Sequence, residues 1–275
     1  MSCQSKSTIE VQGHRGCRGL LPENSLEGFI HAVDLGVHTL ELDLAVSKDG
    51  IVVVSHEPYM NPLICLRPDG SEILESQSKQ FNIYRLTFNE IKQFDCGSKW
   101  HPNFPDQKLQ TAYKPSLEQV FKAIESKNQK IKYNIEIKAQ PDYDGIFTPK
   151  PAEFVRLVLE QINKNNVFER TNLQSFDLRI LEEVKRQAPT MPVAVLVDGN
   201  ESIIEKSSAL SFTPEIISPY FQLLNQSLVR ELQSEGFQVI PWTVNKVEDM
   251  QQMIDFGVDA IITDYPDKLL ALLSE

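Results

Sequence analysis

The stretch His38-Thr-Leu-Glu-Leu-Asp-Leu-Ala-Val46 alternates with a period of two. On an extended strand Leu40, Leu42 and Leu44 share one face, and Glu41 and Asp43 share the other. Lys132-Tyr-Asn-Ile-Glu-Ile-Lys138 repeats the pattern, with Ile135 and Ile137 opposite Glu136 and Lys138. Around these two runs, short apolar or β-branched stretches alternate with helical periodicity along the chain. The reading gives strands at 10–13, 38–46, 51–55, 132–137, 171–173, 192–197, 216–217, 238–242 and 260–263. It gives helices at 25–35, 117–126, 151–163, 178–187, 202–207, 226–235, 247–256 and 266–273. About eight strand–helix units predict an α/β protein with a parallel sheet, and their number favours a (β/α)8 TIM barrel. An open doubly wound sheet needs fewer units, and no G-x-G-x-x-G follows the first strand.

Helix boundaries carry their own chemistry. Ser116 with Gln119 and Thr87 with Glu90 fit capping boxes, and Asn245 with Glu248 is a weaker case. Gly36, Gly236 and Gly257 stand where left-handed caps end helices. The rhythm breaks between His56 and Pro115. A structureless loop of that length is out of place in a compact domain. Residues 58–114 are therefore expected to form a small subdomain inserted after the second strand, with a short helix at 88–93. The expected organisation is a flexible N-terminus over residues 1–9 and one barrel domain over residues 10–275.

Composition narrows the class. The 275 residues carry 27 Lys and Arg against 38 Asp and Glu, a net charge of −11. A nucleic-acid partner requires a basic face and is excluded; a phosphate-bearing small molecule is not, because a bound cation reverses the local sign. Apolar runs such as 51–54 and 193–197 are far too short to span a bilayer. Cys3, Cys17, Cys65 and Cys96 form no C-x-x-C pair, and their wide spacing is read as free thiols. The polar start contains no signal-peptide core, which reads as cytoplasmic; Ser2-Cys3 before a polar stretch also suits an exported or lipid-anchored bacterial protein.

In a barrel, chemistry gathers where strands end at their C-terminal side. Glu41, Asp43, Glu136 and Lys138 all point inward, and three carboxylates with one ammonium do not balance. Oxygen ligands at this charge suit one hard divalent cation, Mg²⁺ or Ca²⁺, better than zinc. His14 and His56 fall at strand ends and are candidates for general acid and base. His31, His38 and His101 are read as structural, and the reading leaves the oligomeric state open.

The ordered set His14-Arg15-Gly16, Pro22-Glu23-Asn24-Ser25, Glu41-Leu-Asp43, His56, Glu136-Ile-Lys138, Gln174-Ser-Phe176 and Trp242-Thr-Val-Asn245 resembles the glycerophosphodiester phosphodiesterases. The resemblance implies a barrel with a subdomain inserted after His56. It implies metal ligation by Glu41, Asp43 and Glu136, and acid–base work by His14 and His56. Arg15, Lys138 and Trp242 would bind the substrate, a small phosphodiester such as glycerophosphocholine or glycerophosphoethanolamine. The products would be glycerol 3-phosphate and an alcohol. Attack by a neighbouring substrate hydroxyl, through a cyclic phosphate, is compatible with it. Ser25 stands where Thr is usual and Glu57 where Asp is more frequent, which leaves the leaving-group preference open. Cys17 takes a small residue's place and reads as an apolar filler. The competing readings are a related sphingomyelinase D-like lipid phosphodiesterase and a non-catalytic metal- or phosphate-binding barrel.

Overall fold

In the computed structural model, which describes residues 9–274, the first turn of most helices is fixed by the chain just before it. Ser25 starts α1 (Leu26–Leu35) by accepting from the Gly28 amide. Both capping boxes form, at Thr87 for α2 (Phe88–Ile91) and Ser116 for α3 (Leu117–Lys127). Pro151 opens α4 (Pro151–Lys164) at a position where no N–H is needed. Asp177, Ser202 and Asn225 cap α5 (Leu178–Gln187), α6 (Ile203–Ser208) and α7 (Gln226–Ser234) through their side chains. The expected Asn245 cap does not form: α8 (Val247–Phe256) begins after Lys246 with no side-chain cap. The Asn245 amide is turned instead onto Asp264, 2.7 Å away. Pro266 opens α9 (Pro266–Leu273) as Pro151 opens α4.

The strands are β1 (Glu10–Gly13), β2 (Thr39–Val46), β3 (Val52–Val54), β4 (Lys132–Ile137), β5 (Thr171–Ser175), β6 (Val193–Val197), β7 (Ile216–Pro219), β8 (Gln238–Val239) and β9 (Ala260–Thr263). Eight are parallel and run in the order β8-β7-β6-β5-β4-β2-β1-β9. Hydrogen bonds from Asp259 to Val239 and from Ile262 to Pro241 join the two ends. The result is a nearly closed (β/α)8 barrel with helices outside. β8 is shorter than the run expected at 238–242, because Pro241 has no N–H to give to a ladder; Trp242 keeps only a bridge to Tyr220. β3 pairs antiparallel with β2 and lies off the barrel. Residue 9, placed in the expected flexible segment, is buried; residues 1–8 of that segment lie outside the described residues.

The outward leucines and isoleucines of β2 and β4 pack against α1, α3, α4 and α5 in the main core. Inside, the barrel is divided. β6, β7 and β9 contribute Ala194, Ile216, Ala260 and Ile262, an apolar lining continued by Ile240 just after β8. β1, β2, β4 and β5 contribute polar columns, and these carry the site.

Residues 58–114 have a separate apolar cluster, built from Met60, Ile64, Ile73, Ile83, Ile91 and Phe94 against Ala45 and Val53. Within it Leu66 bridges Asp95, so Cys65 and Cys96 stand side by side and are joined as a disulfide. This corrects the reading of free thiols. A separation of 31 residues says little about distance once a loop folds back on itself. Cys17 is free and buried, and its thiol donates to the Gly28 carbonyl. Burial pushes its pKa up to about 12, which suits a packing residue rather than a nucleophile. Cys3 lies outside the described residues.

Candidate active site

The turn after β1 carries His14 and Arg15 to the cavity. Arg15 (φ 50) and Gly16 (φ 89) both adopt left-handed backbone, and a Cβ on Gly13 would meet the Gly16 carbonyl at 2.2 Å. The chain therefore hooks back over the barrel mouth. The Arg15 amide then donates to Glu41 at 3.0 Å. Asn24, also left-handed (φ 52), donates to Asp43 at 2.9 Å.

The β2–β4 register places Asp43 directly beside Glu136. One oxygen from each of Glu41, Asp43 and Glu136 lies within 4.8 Å of the others, and all three residues are buried. Burial and the neighbouring Asp43 push the Glu41 pKa well above its usual value. Burial also raises Glu136, against the pull of Lys138. Burial acts on Asp43 in the same sense, but Arg15 and Lys138 overcome it and hold that carboxyl far down. Asp43 Oδ1 has no hydrogen-bond partner. Around this point Glu23, Glu41, Asp43, Glu57, Glu136 and Asp264 face four cations, Arg15, Arg18, Lys114 and Lys138. The deficit of two positive charges, the all-oxygen donor set and an Asp43 Oδ1 held only by a long 3.4 Å bridge to Lys138 fit one hard divalent cation.

Each histidine is backed by a carboxylate. His14 Nδ1 lies 2.6 Å from Asp264 Oδ1, and its Nε2 lies 3.9 Å from Glu41. An ionised carboxylate only accepts, so Nδ1 carries the proton and Nε2 faces the cavity. Burial lowers the His14 pKa to about 4, although Asp264 works against it. His56 Nδ1 lies 2.8 Å from Glu57 Oε1. Burial would raise Glu57, yet the His56 bond and charge bring it to about 2. His14 is 10% exposed and His56 29%, so the second is the more open.

The structure brings all eight sequence-selected residues to one end of the barrel. A cavity of about 280 Å³ there is lined by His14, Arg15, Glu41, His56, Glu136, Lys138 and Trp242; Asp43 lies beneath it, bridged to Lys138 at 3.4 Å. Arg15 does not extend freely. Its guanidinium pairs with Glu23 at 3.0 Å and approaches Asp43 at 3.2 Å. Lys138 bridges Glu136 at 2.8 Å. Trp242 donates its indole N–H to the Ser218 carbonyl and meets Phe176 edge-on. His31, His38 and His101 take no part in the cavity lining, and His38 accepts from the Val11 amide at 3.0 Å.

Five residues were not given roles from sequence: Glu23, Asn24, Glu57, Gln174 and Asp264. Gln174 donates to Glu41 at 2.9 Å. Asp264 gathers His14, Arg18 and Asn245. A signal for Asp264 existed, since it follows the last residue of β9 at the catalytic end.

The comparisons agree with this geometry. The model of the glycerophosphoryl diester phosphodiesterase family matches residues 14–268. The chain belongs to that family. A glycerophosphodiester phosphodiesterase of Caldanaerobacter subterraneus subsp. tengcongensis is 32% identical over 264 residues, covering 96% of this chain and 97% of the relative. A solved structure from Silicibacter pomeroyi, proposed to be a glycerophosphoryl diester phosphodiesterase, superposes with TM-score 0.89 at 30% identity. It covers 98% of this chain and 94% of its own. An Oleispira antarctica phosphodiesterase, solved with the product sn-glycerol-3-phosphate, has TM-score 0.77 at 22% identity and 98% coverage of both chains. As a member of this family the chain is an enzyme, a phosphoric diester hydrolase. No helix among the described residues is long and apolar enough to cross a membrane.

Proposed function

We propose that this chain hydrolyses small glycerophosphodiesters, such as glycerophosphocholine or glycerophosphoethanolamine, to glycerol 3-phosphate and an alcohol. The buried triad of Glu41, Asp43 and Glu136, flanked by two carboxylate-backed histidines, carries the reading. In this reading the triad holds Mg²⁺ or Ca²⁺. When bound, such a cation supplies Lewis-acid polarisation of the phosphoryl group and offsets its charge.

The chain's own residues do the rest. Asp264 keeps the proton on His14 Nδ1, leaving Nε2 to take or give a proton at the cavity. Glu57 does the same for His56. Arg15 and Lys138 border the cavity and would meet phosphoryl oxygens as fixed donors, worth most where charge grows in the transition state. Trp242, held by Ser218, would give the substrate a rigid apolar wall. Residues 58–114, with their own cluster, would act as the inserted subdomain flanking the His56 side. The Cys65–Cys96 disulfide favours the exported setting over the cytoplasmic one, because such bonds persist in oxidising compartments.

The test is release of glycerol 3-phosphate from soluble diesters, compared with cleavage of micellar lysolipids, with and without EDTA. The reading expects turnover on soluble diesters that EDTA removes and Mg²⁺ or Ca²⁺ restores. Cleavage confined to micellar lipid, or activity indifferent to EDTA, refutes it.

A further inference from the structure

A second cavity, of about 300 Å³, adjoins the first, and His56, Glu136, Lys138 and Phe176 line both. His14 and Glu41 line only the first, with Asp43 beneath it, so a diester whose phosphate sits at the triad would send one arm past His56 into the second. The far walls are Glu57 and Tyr59 at the root of the 58–114 segment, and Tyr143 from the loop after β4. The two tyrosines share a support. Phe147 meets Tyr59 edge-on, with centroids 6.4 Å apart, and Tyr143 at a tilt, 5.0 Å apart. Their ring positions are thus fixed by packing.

Among the wall residues Glu57 is the carboxylate with no lysine bridge, while Lys138 and Lys206 face the Phe176 ring. Lys138 and Glu136 offset each other through their 2.8 Å bridge. Glu57 holds His56 with Oε1 and has no hydrogen-bond partner at Oε2; the charges of Lys114 and Arg15 act on it from outside these walls. Of the groups around the tyrosines, Asp144 is taken by Arg179 at 2.8 Å, and Lys79 lies over the Phe147 ring at 6.0 Å. Half-buried aromatic faces beside an ionised carboxylate attract a cation.

We propose that the second cavity receives the departing alcohol and selects one that carries an ammonium group, Tyr59, Tyr143 and Glu57 being the residues that discriminate. The inference rests on the diester reading above. A volume of about 300 Å³ lies at the lower end of the range for small-molecule sites, which suits a short amino alcohol.

The test compares kcat/KM for glycerophosphocholine and glycerophosphoglycerol in the full chain with its activating cation. The choline ester is expected to be favoured about tenfold, the scale of a partly desolvated cation–aromatic contact. Tyr59→Leu should lower kcat/KM more for the choline ester, bringing the ratio to within about twofold; Tyr143→Leu serves where the first variant folds poorly. Glu57→Gln should slow both esters, since Glu57 touches His56, and should also reduce the ratio. A parent ratio near one, or tyrosine variants that slow both esters alike, overturns the inference and leaves the diester reading standing. A parent enzyme that cleaves neither diester brings down both.

Discussion

The polar columns inside the barrel have a lower and an upper half, built from the same strands and alternating in the same way. In the lower half Lys132 pairs with Glu10 at 2.6 Å, and Thr39 also donates to Glu10. Asn134 donates to Gln12 at 2.9 Å, and Asn172 to Asn134 at 2.6 Å. None of these residues carries an orphan buried atom. At the upper end, on the columns and in the loops above them, the pattern fails. Glu57 Oε2 and Gln174 Oε1 are buried without hydrogen-bond partners, Arg15 Nε and Asp43 Oδ1 have only ion pairs at 3.2 and 3.4 Å, and carboxylates outnumber cations. A satisfied buried network serves stability, whereas an unsatisfied one persists where a ligand completes it.

The contrast is broken most sharply at the triad. Glu136→Gln should leave the fold intact and lower turnover by about 10³-fold or more, the scale of losing several kcal/mol of transition-state stabilisation. The same variant should lose the rise in Tm that Mg²⁺ or Ca²⁺ gives the parent. A fully active Glu136→Gln enzyme would sink the metal assignment. His14→Ala and His56→Ala come next, each expected to cost about 10²-fold or more in turnover, with a bell-shaped pH profile in the parent. Near-normal turnover in either variant would end the paired-histidine scheme.

Asp264→Asn should have a smaller effect, roughly 10- to 100-fold on kcat, by analogy with groups that orient reactive ligands. Its loss should appear in kcat with little change in KM, because Asp264 reaches the substrate only through His14 and Arg18. At the lower half, Asn134→Leu strands Gln12 and Asn172. It should cost about 1–3 kcal/mol in urea unfolding while kcat stays within about twofold. A large loss of kcat there would show that the two halves are coupled.

The mildest effect concerns pH in chelator. Glu41 and Glu136 have folded pKa values above their unfolded ones, so their stability contribution is full at low pH and fades as pH rises through the folded values. Asp43 is held low and stays ionised over that range. In EDTA these glutamates should lower Tm as pH rises above about 4.3, the unfolded glutamate value, while His14, held down to about 4, acts the other way up to about 6.5; added Mg²⁺ or Ca²⁺ should remove the glutamate part and make the slope of Tm against pH more positive. Equal slopes with and without cation would contradict the triad's role.

Legibility followed sequence distance. Glu41, Asp43, Glu136 and Lys138 were readable because a two-residue spacing on one strand fixes their common face. His14 and His56 were readable because they follow strand runs. Asp264 was missed as the partner of His14 because 250 positions separate them. Glu57 went without a role although it adjoins His56, since adjacency in sequence does not say that a side chain folds back on its neighbour. The 51–55 run was readable as a strand, but not its antiparallel pairing with β2, and the disulfide was misread for want of the Leu66–Asp95 bridge.

The sequence by itself determined the alternation of strands and helices, most of their caps and the inward face of each strand, all consequences of local covalent geometry and periodicity. Only the tertiary structure decided which columns meet. The register that sets Asp43 beside Glu136, the turn that brings Arg15 over Glu41 and the closure that carries Asp264 to His14 depend on long-range packing. The chemistry of the site depends on those meetings, because desolvation and opposing charge act over a few ångströms of space and not along the chain.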